Sequence, residues 1–462
     1  MINKKVMDEF SNIVGSKNSL HEELDLFTYS YDASFLPLIP ATKPELVIKP
    51  HSTQEVASIM GLANKYRIPV VARGLGSGRT GGSVPIKGGI VLCLDEMNKI
   101  LEFDDKNLII TVEPGVKTQD IYQYCARHGL FYPPDPSSLK HSSIGGNIAE
   151  NAGGPRAVKY GVTGDYVMGL EVVLADGSVL NTGGKMIKNV TGYDLTRLFV
   201  GSEGTLGIIT QAILKLIPMP KMRRTTQVLF DSLEGACAAV SRSIRSGTIP
   251  AAAELMDQIS IQAVAKFRKL ELNPSVQAGI IFEFDGDSEA NLEGQISTAQ
   301  RLCEECGSVQ FKVALTQEEE DELWSLRRGL SSAVAALVPN RISEDISVPR
   351  DALLEIVNRL REIATRYNLQ MAIYGHAGDG NLHPSLLTDL SLPGEKEKVD
   401  QAVGEIFKAA LAVGGTLSGE HGIGITKKGY LTDALGEKGV AVIRSIKNSL
   451  DPAGILNPGK IF

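Results

Sequence analysis

Five of the ten residues from Arg73 to Gly82 are glycine, in the run Arg73-Gly-Leu-Gly-Ser-Gly-Arg-Thr-Gly-Gly82, directly after the short apolar stretch Pro69 to Ala72. No Cβ blocks approach along such a run, so successive backbone N–H groups can turn toward one anion. A pyrophosphate is the natural guest. Gly76-Ser-Gly78-Arg-Thr-Gly81 also has the spacing of the Rossmann nucleotide turn, which must open a helix. The next residues, Ser83-Val-Pro-Ile-Lys-Gly-Gly89, cannot start one cleanly. Dinucleotide binding survives that test, and the Rossmann arrangement is disfavoured.

Further segments of the same texture follow: Glu113-Pro-Gly-Val116, Pro133-Pro-Asp-Pro-Ser137, Ile144-Gly-Gly-Asn147, Asn151-Ala-Gly-Gly154 and Gly201-Ser-Glu-Gly-Thr-Leu-Gly-Ile-Ile209. Each alone is ordinary turn chemistry. Together they imply backbone wrapped closely around an extended ligand. The net charge of −7, without a long basic run, argues against a nucleic-acid partner. An anionic substrate would need locally placed cations. The five cysteines are too few and too scattered for a disulfide framework. Cys303 and Cys306 form a Cys-x-x-Cys pair at an expected helix end, with no further ligands nearby for an iron–sulfur cluster. No apolar run has the length of a membrane span or the form of a secretory signal. A cytoplasmic location is expected, peripheral to a membrane only through a partner.

A length of 462 residues implies two or three domains. The first forty residues read as helical, then irregular, ending in Pro37 and Pro40. From Pro44 strand and helix alternate: a strand over 45–49, a capping box Ser52-Thr-Gln-Glu55, and Val56, Ile59, Met60 and Ala63 at helical spacing up to Pro69. From Ile90 to Leu216 short strands dominate, punctuated by Gly and Pro. After Thr225 the order strand (226–230), helix (233–246), strand (279–284), helix (288–306) and strand (309–313) predicts an α+β domain with an antiparallel, ferredoxin-like sheet. Helices over 318–337, 351–367 and 395–412 and a strand over 369–374 complete the pattern.

Three of the seven histidines lie in the last ninety residues. In Tyr374-Gly-His-Ala-Gly-Asp-Gly-Asn-Leu-His383, Asp379-Gly380 is a hairpin signal that would bring His376 and His383 together across two strands. Two imidazoles meeting this way make a metal pair. In Gly419-Glu-His-Gly-Ile-Gly424, neighbouring side chains of an extended stretch point to opposite sides, so Glu420 can reach a metal while His421 faces something else. Two histidines and one carboxylate leave coordination positions open for catalysis.

In the order of these motifs, from about Pro44 to Phe462, the chain resembles the vanillyl-alcohol-oxidase/PCMH flavoproteins, and most closely the catalytic subunits of D-lactate dehydrogenases and glycolate oxidases. The resemblance implies a two-subdomain, PCMH-type FAD-binding domain over 44–220, a cap over 221–415, and a segment over 416–462 that returns to the FAD domain, behind a helical segment over 1–43. It assigns the pyrophosphate to Arg73, Gly74, Gly76, Ser77, Gly78, Arg79, Thr80, Gly81 and Gly82. The flavin ring and ribityl chain go to Pro134, Asp135, Ser137, Ser138, Gly145, Gly146 and Asn147, with Gly153 and Gly154 beside them. The adenine side goes to Glu203, Gly204, Gly207, Ile208 and Ile209, with Asn457 near the terminus also against the cofactor. Some relatives attach the flavin through a histidine in the first loop, and none is present here, so the FAD is expected to be non-covalent. The resemblance also makes His376, His383 and Glu420 ligands of a divalent metal (zinc, iron or manganese), His421 the general base, and Arg327, in Trp324-Ser-Leu-Arg327, the anchor of the substrate carboxylate. Adjacent Arg328 is the alternative anchor, and Lys188 and Tyr193 are secondary candidates near the flavin.

The activity implied is oxidation of a small D-2-hydroxy acid, D-lactate before glycolate, to the 2-oxo acid by hydride transfer to flavin. Electrons would pass to a quinone or a partner protein such as an electron-transfer flavoprotein or an iron–sulfur subunit. Two other readings stay open. One is a transferase like the ether-lipid synthases that share this fold. The other is a flavin-carrying electron-transfer subunit whose catalysis lies elsewhere.

Overall fold

The computed structural model describes residues 2–35 and 43–462. The irregular stretch expected around Pro37 and Pro40 lies outside the described residues. The chain divides into two compact units, the first made of Met1–Ala152, Val162–Met219 and Glu420–Phe462, the second of Gly153–Gly161 and Pro220–Gly419.

In the first unit the strands Leu46–Ile48, Ile90–Cys93 and Val70–Arg73 lie side by side and parallel. All three are largely buried, as strands of a parallel sheet require. The crossover helix Thr53–Tyr66 buries Val56, Ile59, Met60 and Ala63, the residues whose spacing predicted it. Its cap is the expected one in slightly altered form: Ser52 Oγ accepts from Glu55 N at 3.3 Å, and the Glu55 carboxylate accepts from the N–H of His51 at 2.7 Å. After Arg73 the chain runs through turns to Ile90 without opening a helix, so the glycine loop is not a Rossmann turn. The second sheet of this unit is antiparallel, in the order Ile100–Asp104, Ile109–Val112, Ile208–Lys215, Val167–Val173, Val179–Gly183. One stretch read as glycine-rich turn is a helix instead, Ile144–Glu150. Its glycines serve close approach: a Cβ on Gly145 would stand 2.6 Å from Pro114 Cβ.

The second unit contains the expected ferredoxin-like sheet. Strands Ser308–Val313, Met222–Phe230, Ala278–Gly286 and Ala252–Asp257 lie in that order, every pair antiparallel. The sheet then continues through Gln370–His376, Asn381–Thr388 and Asn340–Ser343. Strand Ala252–Asp257 and the helix Gln258–Arg268 behind it were not foreseen. The strand reads Ala-Ala-Glu-Leu-Met-Asp, mostly weak strand formers, and central burial of all six residues overrides that preference. The excursion Gly153–Gly161 also belongs to this unit. Arg156 Nε and Nη2 grip Glu283 at 2.8 and 3.1 Å, Lys159 pairs with Asp285, and Tyr160 donates to Asp285 at 2.6 Å. All five cysteines are free. Among the described residues no helix is long and apolar enough to cross a membrane.

Candidate active site

In the first unit the sequence-distant glycine segments meet. Arg73 is buried, its Nη1 donating to Tyr31 O at 2.7 Å and Ser83 Oγ at 3.3 Å, with the guanidinium over the Tyr29 ring. It braces the loop from behind. Gly76 adopts φ +70°, and a Cβ there would collide with that guanidinium. A Cβ on Gly74 would collide with Ser143 Oγ, and one on Gly82 would lie 2.9 Å from Glu150 Oε1. Thr80 is joined to the chain's last segment: its Oγ1 donates to His421 O at 3.2 Å, and its carbonyl accepts from Ile425 N at 2.8 Å.

Asn457 crosslinks two predicted cofactor segments, its Nδ2 donating to Gly82 O at 2.9 Å and Glu203 O at 2.7 Å. The Glu203 carboxylate accepts from Ile423 N and Gly424 N, both at 2.7 Å. Burial pushes the Glu203 and Glu150 carboxyls up, and Glu150 is raised further by the charges of Glu203 and Asp32. Lys460 donates to Val84 O at 2.6 Å and Asn457 Oδ1 at 2.9 Å, and burial pushes it down to about 8.

Other predicted cofactor residues have evident structural duties. Asn147 Nδ2 donates to Thr118 Oγ1 at 2.6 Å. Ile208 and Ile209 face two separate apolar cores, so what they offer a ligand is backbone. Gly153 and Gly154 belong to the second unit. Pro134 is buried, Asp135 half-buried and Ser137 exposed, in an irregular stretch and turn. Lys188 and Tyr193 lie exposed, Tyr193 at 95%. Glu420 Oε1 stands 3.8 Å from His421 Nε2.

In the second unit the hairpin forms as the Asp-Gly signal predicts. Strand register pairs His376 with Asn381 and Tyr374 with His383. The two histidines therefore share a face one diagonal apart, with ring centroids 5.2 Å apart and planes at 89°. Gly380 makes the turn at φ +86°, where a Cβ would collide with Val348 O. Both histidines are buried.

Two carboxylates behind them escaped sequence reasoning. Glu254 Oε1 lies 2.5 Å from His376 Nδ1 and its Oε2 2.5 Å from Arg327 Nη2. Arg327 and His376 hold the Glu254 carboxyl below the usual range despite its burial. Asp345 accepts from Asn381 Nδ2 at 2.6 Å, Ser418 Oγ at 2.6 Å and Gly419 N at 3.0 Å, and lies 3.9 Å from His383 Nδ1. On helix Gln317–Ala335, Arg327 is buried and Arg328 exposed. The Arg327 guanidinium lies over the Tyr374 ring, and its Nε–H meets no acceptor among the described residues.

Comparison with known proteins identifies both parts of the chain. Residues 44–183 match the FAD binding domain, and residues 219–461 match the C-terminal domain of FAD linked oxidases. A FAD-binding domain followed by this C-terminal domain defines a FAD-linked oxidase. Among solved structures, p-cresol methylhydroxylase aligns at TM-score 0.80 and 18% identity, covering 99% of this chain and 96% of that one. The 4-ethylphenol oxidase of Gulosibacter chungangensis aligns at 0.79 and 23%, with the same coverage. The α+β PCMH-type fold is thereby established. More closely, the chain is 44% identical over 462 residues to the glycolate oxidase subunit GlcD of Bacillus subtilis (strain 168), spanning 100% of this chain and 97% of that protein. It is 34% identical over 467 residues to a D-lactate dehydrogenase of Anaerostipes hadrus, spanning 100% and 98%. The chain belongs to the family of FAD-linked oxidases that contains these GlcD subunits and D-lactate dehydrogenases.

Proposed function

We propose that this chain oxidises a small D-2-hydroxy acid, D-lactate before glycolate, to the 2-oxo acid. It does so with non-covalent FAD and a divalent metal (zinc, iron or manganese) held by His376, His383 and Glu420. The observation that carries this reading is the buried pairing of His376 and His383 across one hairpin, with a guanidinium tied to the same cluster through Glu254. The donor types suit such a cation: two imidazoles and one carboxylate leave room for substrate. Glycine at 74 and 76 lets the loop pack against Ser143 and the Arg73 guanidinium, and a run of backbone N–H groups with few Cβ atoms suits a pyrophosphate.

When bound, FAD supplies the two-electron acceptor and the cation supplies Lewis acidity toward the C2 hydroxyl. The chain's own residues do the rest. Arg327 takes the substrate carboxylate on the donors that Glu254 leaves open, since a guanidinium has five N–H groups. His421 removes the hydroxyl proton. Electrons leave for a separate acceptor, an electron-transfer flavoprotein, an iron–sulfur subunit or a quinone. The chain then works in the cytoplasm and reaches a membrane only through that acceptor.

The test is anaerobic mixing of the yellow protein with D- and L-lactate, glycolate and D-2-hydroxyglutarate. Bleaching by D-acids or glycolate, abolished by a chelator that leaves the flavin bound, is the expected outcome. A flavin bleached by none of them refutes the oxidation and turns the assignment toward a transferase or an electron carrier. Full activity after complete metal removal refutes the metal's part.

A further inference from the structure

Glu254 stands opposite His376 in strand register and is fully buried. Each of its two oxygens is committed to a different residue, Oε1 to His376 Nδ1 and Oε2 to Arg327 Nη2, both at 2.5 Å. An ionised carboxylate only accepts hydrogen bonds, so the hydrogen of this pair sits on Nδ1, and in the neutral ring the lone pair of His376 is then on Nε2. The same carboxylate is the counter-charge that makes a buried guanidinium tolerable at this point. Tyr374 supports Arg327 from the other side, its ring 5.6 Å from the guanidinium carbon and its hydroxyl held by Arg341 Nη1 at 2.7 Å.

We infer that Glu254 is the positioning residue that joins the two halves of the site. It fixes His376 as an Nδ1–H tautomer that offers Nε2 to the cation, and it holds the Arg327 guanidinium in place for the substrate carboxylate. This inference rests on the metal and anchor roles proposed above. Its physical content is that one side chain sets both metal affinity and substrate affinity, so a single substitution moves both.

Glu254→Gln preserves size but offers one acceptor and two donors, so it cannot serve His376 and Arg327 at once. On FAD-loaded protein, competition against a chromophoric chelator is expected to show Mn²⁺ or Zn²⁺ binding about 10–100-fold weaker than wild type. With metal saturating, KM for the hydroxy acid is expected to rise by about tenfold while kcat falls much less, as loss of uniform binding requires. Adding Glu254→Gln to Arg327→Met is expected to raise KM no further but still to weaken metal binding. Glu254→Asp, which keeps the charge but is a methylene too short to reach both partners, is read the same way if the glutamine variant does not fold. Wild-type metal affinity together with wild-type KM in a folded variant overturns the inference. So does a loss of thermal stability with both constants unchanged. Wild-type protein that takes up no metal sinks the parent reading and this inference with it. A wild type that binds metal, matched by a variant that binds it equally, sinks this inference alone.

Discussion

His421 is joined to the glycine loop through its backbone: the Thr80 hydroxyl donates to its carbonyl oxygen. Removing the imidazole therefore leaves that tie intact. His421→Ala is expected to keep its FAD and to lose turnover by about 10²–10⁴-fold, the usual worth of a positioned general base. Steady-state rates beside flavin content check this, and near-normal turnover would remove His421 from the mechanism. The residue scale also shows what a sequence reveals and conceals. His376 and His383 were legible because Asp379-Gly380 announces its own turn, and a turn fixes which side chains become neighbours. Glu254 was not legible. Its strand has no alternation to mark it, and the partners that let a carboxylate be buried there lie 73 and 122 residues further along the chain. Asp345 was hidden for the same reason, because its acceptor role depends on Asn381 and Ser418 arriving from other segments. A charged residue in an apolar run looks exposed until its long-range partner is known.

At the scale of elements, helices with capping residues and strands with β-branched runs could be read directly, while Ala252–Asp257 and Gln258–Arg268 depended on tertiary context. Their junction carries a titratable group with a consequence. Asp257 caps the helix, accepting from Ser260 N at 2.9 Å and from Ile373 N at 3.0 Å. Burial nevertheless pushes its carboxyl up from 3.8 to about 6. A carboxyl that holds its proton more tightly folded than unfolded makes stability fall as pH rises through that window, and the loss is complete above it. The difference between the two values corresponds to about 3 kcal/mol. Asp257→Asn removes the ionisation while keeping one acceptor for the cap. Thermal unfolding of both proteins is expected to show the variant gaining on wild type as pH is raised from about 4 to about 7. A difference between them that does not change with pH would show that burial does not control this group.

At the scale of the molecule, each unit is assembled from separated stretches of chain, and the excursion Gly153–Gly161 was the stretch not visible in advance. The excursion Gly153–Gly161 belongs to the second unit because Glu283 and Asp285 hold it, more than 120 residues away. The closing segment of the first unit, whose return the family resemblance implied, allows a sharper test. Leu456 bridges Val70 at the edge of the parallel sheet, and Ile455 and Leu456 are buried in its core. Asn457 satisfies the carbonyls of Gly82 and Glu203, Lys460 that of Val84, and Lys447 reaches Thr205 O and Leu456 O, both at 2.8 Å. Deleting residues 452–462 would expose the apolar surface that Ile455 and Leu456 cover, at about 1.5–3 kcal/mol per side chain. It would also strip partners from the carbonyls of Gly82, Glu203 and Val84 among others, at about 1–3 kcal/mol for each that stays buried. Those losses approach the whole stability of a domain, about 5–15 kcal/mol. They also fall on the loop that contains Gly82 and on the segment that contains Glu203, two of the glycine-rich segments assigned to the cofactor. The truncated protein is expected to emerge colourless and protease-sensitive within Met1–Ala152, whereas Asn457→Ala, which removes only the crosslink, should keep its fold and hold flavin more weakly. Flavin-to-protein ratios and limited proteolysis distinguish the two. A truncated chain that retained stoichiometric flavin would mean that the terminal segment is a passive strap and that the glycine loop holds its shape without it.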